Sequence, residues 1–237
     1  MRKQKNTLSQ KHNYPIKFTI KVVIIMLLVL CFTSTPLFSF DSTKDLYVKE
    51  KDESYYLELN DMPVMTQETG FTCFVVSMAI IRNHFNLETT ENGLLSELDI
   101  LNCKKGMLPS EYLLYANRAF KPLSYSVNLI NPTEQKEIID TIVASLTNEL
   151  PVIFFYSTID DWNKPNYNTH YGVIYGINIK TKMIKISNPY GYLEEISYAD
   201  LFDGLSFQNY EQAPFLFRLG RLTGYIKTNS IFTLESI

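Results

Sequence analysis

The run from Phe74 to Ile81 limits the fold more than any other feature of the chain, because Ser77 is its one polar residue. A surface helix carries polar residues on one face, whereas this run would be apolar on nearly every side of a helix. We therefore expect a helix that is buried all round by neighbouring layers. Cys73 precedes the run at the predicted N-terminus, and Thr72 is placed to cap the helix through its hydroxyl.

The chain between this helix and Pro151 has mainly helical patterns. Apolar residues recur at helical spacing in Glu91–Leu101, and a proline can begin a second helix over Pro109–Phe120. Asn131 and Pro132 resemble a cap and first-turn pair for a third helix that ends near Asn148. A short strand is predicted at Leu123–Val127.

The character of the chain changes after Pro151, where short runs rich in β-branched and aromatic residues alternate with turn-forming segments. The runs PVIFFYS, HYGVIYGIN, KMIKISNP and YLEEISY predict an antiparallel sheet. We expect a loop at Ile159–Thr169, a short helix at Tyr198–Leu205 and further strands after Gln212. Helices first and a sheet second predict an α+β fold.

The N-terminal segment has the layout of an export signal. The segment from Met1 to Ser39 holds six Lys or Arg, no acidic residue, and the apolar run Val22–Phe32. The uncharged stretch Val22–Phe40 is close in length to the roughly 20 residues that span a bilayer, so an uncleaved anchor is the alternative. We therefore predict a signal peptide or anchor at residues 1–39, a linker at 40–56, and an exported domain at 57–237.

Charge helps to limit the partners of that domain. Without the predicted signal, Lys and Arg fall from 22 to 16 while Asp and Glu stay at 25, so the formal charge moves from −3 to −9. An acidic domain is poorly suited to binding nucleic acid. We expect contact with a membrane only through an uncleaved N-terminal anchor.

Four residues together indicate acyl transfer by a thiol. Cys73 lies where the helix dipole favours a thiolate nucleophile. His170 opens a predicted strand and can act as the base, and Asn188 can orient its imidazole. A hairpin that turns near residues 180–182 would bring His170 and Asn188 to the same end of the sheet. Gln67 can add a side-chain donor to the backbone N–H of Cys73, which makes a two-donor oxyanion hole.

These residues resemble the papain-like cysteine peptidases, in particular the compact bacterial branch that includes double-glycine leader peptidases. The matching stretches are MPVMTQETGFTCFVVSMAII, LPVIFFY and THYGVIYGINIKTKMIKISNPYG. The resemblance spans about Leu57 to Asp203. It implies a papain-like fold, cleavage of peptide or protein substrates, no cofactor and no metal. It assigns the oxyanion hole to Gln67, the nucleophile to Cys73, the base to His170 and the orienting role to Asn188.

Two features keep other functions open. Phe74 follows Cys73 where the compact branch usually has glycine, and its bulk would crowd the oxyanion hole. Cys73 and Cys103 are the only cysteines outside the predicted signal, and two cysteines in an oxidising compartment are candidates for a disulfide. Either feature would favour a papain-like peptide-binding module without turnover. A transglutaminase-type acyl transferase, which uses the same kind of triad, is the third hypothesis.

Overall fold

The structure is a computed structural model that describes residues 56–100, 106–159, 167–208 and 210–237. Within these ranges there are six α-helices and a seven-stranded antiparallel sheet. The helices are α1 (Cys73–His84), α2 (Glu91–Glu97), α3 (Pro109–Phe120), α4 (Gln135–Thr147), α5 (Tyr198–Leu205) and α6 (Phe215–Leu222). The strands are β1 (Tyr56–Glu58), β2 (Tyr125–Ile130), β3 (Val152–Ile159), β4 (Tyr167–Asn178), β5 (Met183–Asn188), β6 (Tyr192–Ser197) and β7 (Ser230–Ser236). The predicted α+β fold is confirmed.

The sheet runs in the order β2-β7-β3-β4-β5-β6, so the C-terminal strand β7 lies between β2 and β3. β1 pairs with β4 at Gly176–Asn178, beyond the residues of β4 that pair with β3. β4 and β5 form the predicted hairpin, with Asn178 paired to Met183 beside the turn. This hairpin brings the start of β4 and the end of β5 to the same end of the sheet.

Helix α1 is the buried helix that its sequence predicts. Every residue from Cys73 to Arg82 is buried, and the helix packs against β4, α2 and α3. Phe74 is fully buried and belongs to the hydrophobic core. The core thus holds the start of α1 in place, because shifting it would disturb close-packed side chains.

Several predicted boundaries are wrong. Helix α4 begins at Gln135 after Glu134, whereas the Asn131 amide donates to the carbonyl of Thr228 and the hydroxyl of Ser230. Strand β2 begins two residues later than predicted and continues to Ile130, because it pairs along its whole length with β7.

Two more corrections concern the second half of the chain. The predicted loop at Ile159–Thr169 is shorter at its C-terminal end, since β4 begins at Tyr167 and Thr169 pairs with Ser157. The chain after Gln212 contains a helix, α6, in addition to the strand β7. The predicted signal peptide or anchor, the linker as far as residue 55, and Cys103 lie outside the described residues.

Candidate active site

The β4–β5 hairpin brings His170 and Asn188 into contact. Val173 pairs with Ser187, so His170 and Asn188 lie near the open end of the hairpin as the sequence predicts. His170 Nε2 is 3.0 Å from Asn188 Oδ1, and both residues are buried, with 2% and 3% of their surfaces exposed. A buried imidazole is therefore held by a buried amide.

The neighbours of Asn188 determine which way its amide faces. The Tyr190 backbone N–H can only donate and lies 3.0 Å from Oδ1, whereas Glu194 Oε1 accepts from Nδ2 at 2.6 Å. Nδ2 also donates to the Tyr192 hydroxyl at 3.3 Å. Oδ1 therefore accepts from His170, whose neutral ring carries its proton on Nε2 and its lone pair on Nδ1. This is the tautomer that a general base acting through Nδ1 requires.

Tyr190 covers one face of the His170 ring. The two rings are stacked, with centroids 4.3 Å apart and planes 9° apart, while Tyr156 meets His170 edge-on. Tyr190 is held by the turn after β5, in which the Gly191 N–H donates to the Asn188 carbonyl at 2.9 Å. Gly191 has φ of +93°, a conformation that favours glycine. The turn thus fixes both the amide and the aromatic cover of the imidazole.

Cys73 is the first residue of α1 and lines a cleft of about 390 Å³. The first N–H groups of a helix point out of its N-terminus, where they favour an anion. Asn168 and Thr169, which precede His170 on β4, and Tyr190, which covers its ring, line the same cleft. The other described residues that line it are Gly70, Phe71, Gly106, Pro214 and Phe217. Cys73 therefore shares this cleft with the residues that flank and cover His170.

The tyrosines near Cys73 are weak acids. Burial raises the pKa of Tyr112, Tyr156 and Tyr171, and the charge of a Cys73 thiolate adds to the increase for each of them. These phenols stay protonated at neutral pH. They therefore do not take a proton from the Cys73 thiol at neutral pH.

Gln67 lies in the loop before α1, and its main chain is joined to the turn after β5. Its backbone N–H donates to the Pro189 carbonyl at 2.7 Å, and Thr66 forms a β-bridge with Tyr190. Its side-chain Nε2 donates to the Thr69 carbonyl at 2.7 Å, while Oε1 is buried without a hydrogen-bond partner. The structure thus connects Gln67 to the Asn188 turn but engages its amide donor within the loop.

Two expectations about the start of α1 are wrong. Thr72 occupies the N-cap position, but its hydroxyl donates to the Thr69 carbonyl at 3.2 Å and does not cap the helix. Phe74 was expected to crowd the oxyanion hole. Its ring packs in the core instead and is absent from the residues that line the Cys73 cleft. Phe71, 47% exposed, is the aromatic residue of this segment that faces the cleft.

Sequence reasoning missed Glu194 and Tyr192. Both lie on β6, where Asn188 pairs with Tyr192 and Ile186 with Glu194. Alternation along YLEEIS places residues 192 and 194 on one face of the strand, which could have indicated that they share a side with Asn188. The strand pairing needed to bring them together is not visible in the sequence.

A core helix that begins at a cysteine, packed on an antiparallel sheet that carries the histidine, defines the α+β fold of the papain-like cysteine peptidases. A family model described as the Peptidase_C39 like family matches residues 59–213. The chain therefore belongs to this family and is a cysteine peptidase. No curated protein sequence matches it.

Solved structures with a similar fold include three bacterial proteins. A protein from Bacillus anthracis described as a C39-like peptidase is 13% identical with a TM-score of 0.47, over 78% of this chain and 99% of that one. The peptidase domain of Streptococcus ComA, a bi-functional ABC transporter, is 16% identical with a TM-score of 0.44, over 74% and 99%. Xylellain, a cysteine protease from Xylella fastidiosa, is 11% identical with a TM-score of 0.43, over 77% and 86%. Family membership follows from the match over residues 59–213 and not from these likenesses.

Among the described residues, no helix is long and apolar enough to cross a membrane. The same residues contain no group of three or more His, Cys, Asp or Glu side chains placed to hold a metal ion.

Proposed function

We propose that the protein is an exported cysteine peptidase in which Cys73 is the nucleophile, His170 the base, Asn188 the orienting residue and Gln67 an oxyanion donor. The observation that supports this most strongly is the 3.0 Å contact between His170 Nε2 and Asn188 Oδ1, because the amide is oriented to accept. The position of Cys73 in the cleft lined by Asn168, Thr169 and Tyr190 agrees with this assignment.

In the proposed first step, His170 Nδ1 takes the thiol proton, and the Cys73 sulfur attacks the carbonyl carbon of a peptide bond. The new S–C bond converts the carbonyl oxygen into an oxyanion, which accepts hydrogen bonds from the Cys73 N–H and from Gln67. Gln67 must then exchange its bond to the Thr69 carbonyl for one to the oxyanion. The C–N bond breaks as the His170 imidazolium gives its proton to the leaving amine.

In the second step, water attacks the thioester while His170 Nδ1 takes one of its protons. The S–C bond breaks, the carboxylic acid product leaves, and Cys73 and His170 return to their starting state. Asn188 keeps the imidazole in one orientation throughout, because its Oδ1 accepts from the protonated Nε2 in both the neutral and the charged ring. The residues named here supply all the proton transfers of this mechanism.

Export is part of the proposal. It is supported by the six basic residues, the missing acids and the apolar run of the segment Met1–Ser39. Removal of a leader of this length would leave Cys73 in a domain that begins near residue 40. Mass spectrometry of the protein from the envelope and the medium of a bacterial host would show whether and where cleavage occurs.

The test of the proposed site is alkylation of Cys73 by iodoacetamide, measured residue by residue by peptide mass spectrometry. At about pH 5.5, some three units below the usual pKa of a thiol, only a stabilised thiolate reacts quickly. We expect rapid labelling of Cys73 at about pH 5.5 that is lost in His170→Ala and kept in His84→Ala, the matched control on α1. Cleavage of a proteome-derived peptide library would then define turnover and specificity.

Two results would contradict the proposal. One is a Cys73–Cys103 disulfide in the exported protein, and the other is labelling of Cys73 no faster than in the denatured chain. Either would favour the papain-like binding module without turnover. Peptide cleavage that is replaced by incorporation of an added amine would favour the transglutaminase-type transferase.

A further inference from the structure

Glu194 has the shortest of the contacts around Asn188. Its Oε1 lies 2.6 Å from Asn188 Nδ2, compared with 3.3 Å for the Tyr192 hydroxyl and the same Nδ2. Hydrogen bonds to an ionised carboxylate are shorter and roughly twice as strong as neutral ones. The carboxylate is therefore the main polar restraint on the side of Asn188 that faces away from His170.

From this geometry we propose that Glu194 is a positioning residue, which holds the Asn188 amide so that its oxygen faces His170. The inference rests on the proposed function, because it assigns a role within the same site. Glu194 contacts the Asn188 amide and is not among the described residues that line the Cys73 cleft. It acts through Asn188 and is not itself a catalytic residue.

The physical argument begins with the reversed amide. If the Asn188 side chain turned by half a rotation, its oxygen would face the Glu194 carboxylate and its NH₂ would face the Tyr190 N–H. Two acceptors would then meet at Glu194 and two donors at Tyr190, so both of these hydrogen bonds of Asn188 would be lost. The reversed amide would also present a donor to His170 Nε2, which would favour the tautomer with its proton on Nδ1. That tautomer cannot accept the thiol proton through Nδ1.

The second part of the argument concerns charge. During the reaction His170 becomes positive, and the Glu194 carboxylate lies on the far side of the amide that accepts from it. A negative charge behind the amide polarises it toward the imidazolium, and this matters more in a buried site than in water. The neutral Asn188 amide therefore contacts His170 directly, and the Glu194 carboxylate contacts that amide from its other side.

The groups around Glu194 are acidic or neutral. It lines a cavity of about 320 Å³ with Tyr156, Tyr192, Asp200 and Asp203, and no Lys or Arg is among the described residues that line it. Asp200 is engaged by the cap of α5, where it accepts from the Ser197 backbone and hydroxyl. Burial raises the pKa of Tyr156, with the Glu194 charge adding to the increase, so this phenol stays protonated. The Asn188 amide is a donor placed to orient the carboxylate, at 2.6 Å from its Oε1.

The test compares three variants in the full chain. Glu194→Leu removes both the acceptor and the charge, whereas Glu194→Gln keeps an acceptor in the same place but removes the charge. Glu195→Gln is the matched control, since Glu195 is exposed and adjacent residues of a strand face opposite ways. Each variant is alkylated with iodoacetamide at about pH 5.5 and at about pH 8, near the usual pKa of a thiol, and Cys73 is monitored by peptide mass spectrometry.

We expect Glu194→Leu to slow Cys73 alkylation at about pH 5.5 by about 10- to 100-fold, the usual effect of losing a partner that orients a functional group. The loss should shrink at about pH 8, because a thiolate then forms without the imidazolium. Glu194→Gln should lose less than Glu194→Leu, and Glu195→Gln should match the unchanged protein. If Glu194→Leu does not fold, the Glu194→Gln result at the two pH values decides.

Three results would overturn the inference. One is unchanged alkylation in the folded Glu194→Leu variant, and another is an equal loss at both pH values. The third is a peptide-cleavage defect confined to KM, which would make Glu194 a substrate-binding residue. Slow alkylation of the unchanged protein at about pH 5.5 would instead contradict the proposed function, so the two failures are distinguishable.

Discussion

The two halves of the candidate site differ in how completely the structure arranges them. On the sheet side, His170 and Asn188 contact each other directly. The Asn188 amide also forms hydrogen bonds with Tyr190, Tyr192 and Glu194. On the helix side, the Gln67 amide donates to the Thr69 carbonyl, and its Oε1 is buried without a partner. The proposed base is held in one orientation by Asn188, whereas the proposed oxyanion donor is engaged elsewhere.

This difference follows from the elements that carry each half. A paired hairpin fixes the relative positions of two residues through its register, so His170 and Asn188 meet as a consequence of strand pairing. Gln67 lies in a loop, where a side chain binds whatever acceptor is near, and here that acceptor is the Thr69 carbonyl. A substrate that offers a stronger acceptor can compete for the loop donor without disturbing the sheet.

The largest predicted effect tests whether the helix side contributes to turnover. Gln67→Met keeps the length of the side chain but removes its NH₂ without adding a charge, so peptide cleavage should fall by about 100- to 1,000-fold, as when an oxyanion donor is lost. Alkylation of Cys73 by iodoacetamide passes through no oxyanion and should be unchanged. The measurement is both rates on one preparation, with Gln135→Met, exposed at the start of α4, as the control. Equal losses in both assays would show that Gln67 supports the thiol and not the oxyanion.

The second prediction tests the sheet side by replacing the Asn188 amide with a carboxylate of the same shape. Asn188→Asp would put a carboxylate where the amide now lies 2.6 Å from Glu194 Oε1, and two carboxylates so close cannot both be ionised. We expect Cys73 alkylation at about pH 5.5 to fall by about 10- to 100-fold. Adding Glu194→Gln should recover most of the rate, because a neutral amide can donate to the new aspartate.

That double variant is a sharp test of the contact between Asn188 and Glu194. Coupling between the two substitutions is read from a double-mutant cycle on the alkylation rate. Independent effects, with no recovery in the double variant, would mean that the two side chains do not act together. The Asn188→Asp, Glu195→Gln pair is the matched control and should not recover.

The third prediction concerns the turn that joins the two halves. Gly191 has φ of +93°, and a Cβ at this position would overlap the Thr66 hydroxyl, which lies next to Gln67. Gly191→Ala should therefore lower the free energy of unfolding by about 1–3 kcal/mol, the usual cost of a strained backbone conformation. Chemical denaturation measures this loss. Gly224→Ala is the control, because Gly224 also has positive φ but no atom lies within 4 Å of the added Cβ.

The two glycines separate backbone strain from steric overlap. Gly224→Ala carries the strain alone, so any larger loss in Gly191→Ala reports the contact between the turn and the Thr66 segment. Equal losses would show that Thr66 moves aside at no cost, and the proposed link between the halves would then be wrong.

The sequence predicts the parts of this molecule that depend on local pattern. The apolar run after Cys73, the proline at the start of α3 and the runs of β-branched and aromatic residues in the hairpin identify those elements. The hairpin accounts for the contact of His170 with Asn188. Partners that meet through strand pairing or tertiary packing were not predictable from pattern. β7 pairs with β2 along the length of β2, and the Asn131 amide donates to the Thr228 carbonyl before β7. Glu194 is six residues from Asn188 but contacts it through the pairing of β6 with β5.

The smallest predicted effect distinguishes the two described histidines by pH. His84 ends the helix that Cys73 begins, and burial lowers its pKa below the ordinary 6.5, with Asp61 acting weakly in the opposite direction. The folded state therefore prefers neutral His84, so its contribution to stability is complete above about pH 6.5 and is lost as the pH falls toward the lower folded pKa. Thermal unfolding of the unchanged chain and of His84→Gln across this interval should show a smaller pH dependence in the variant. Because His84 lies at the far end of α1, Cys73 alkylation should not change, and a variant that alters alkylation while keeping the full pH dependence would contradict this assignment.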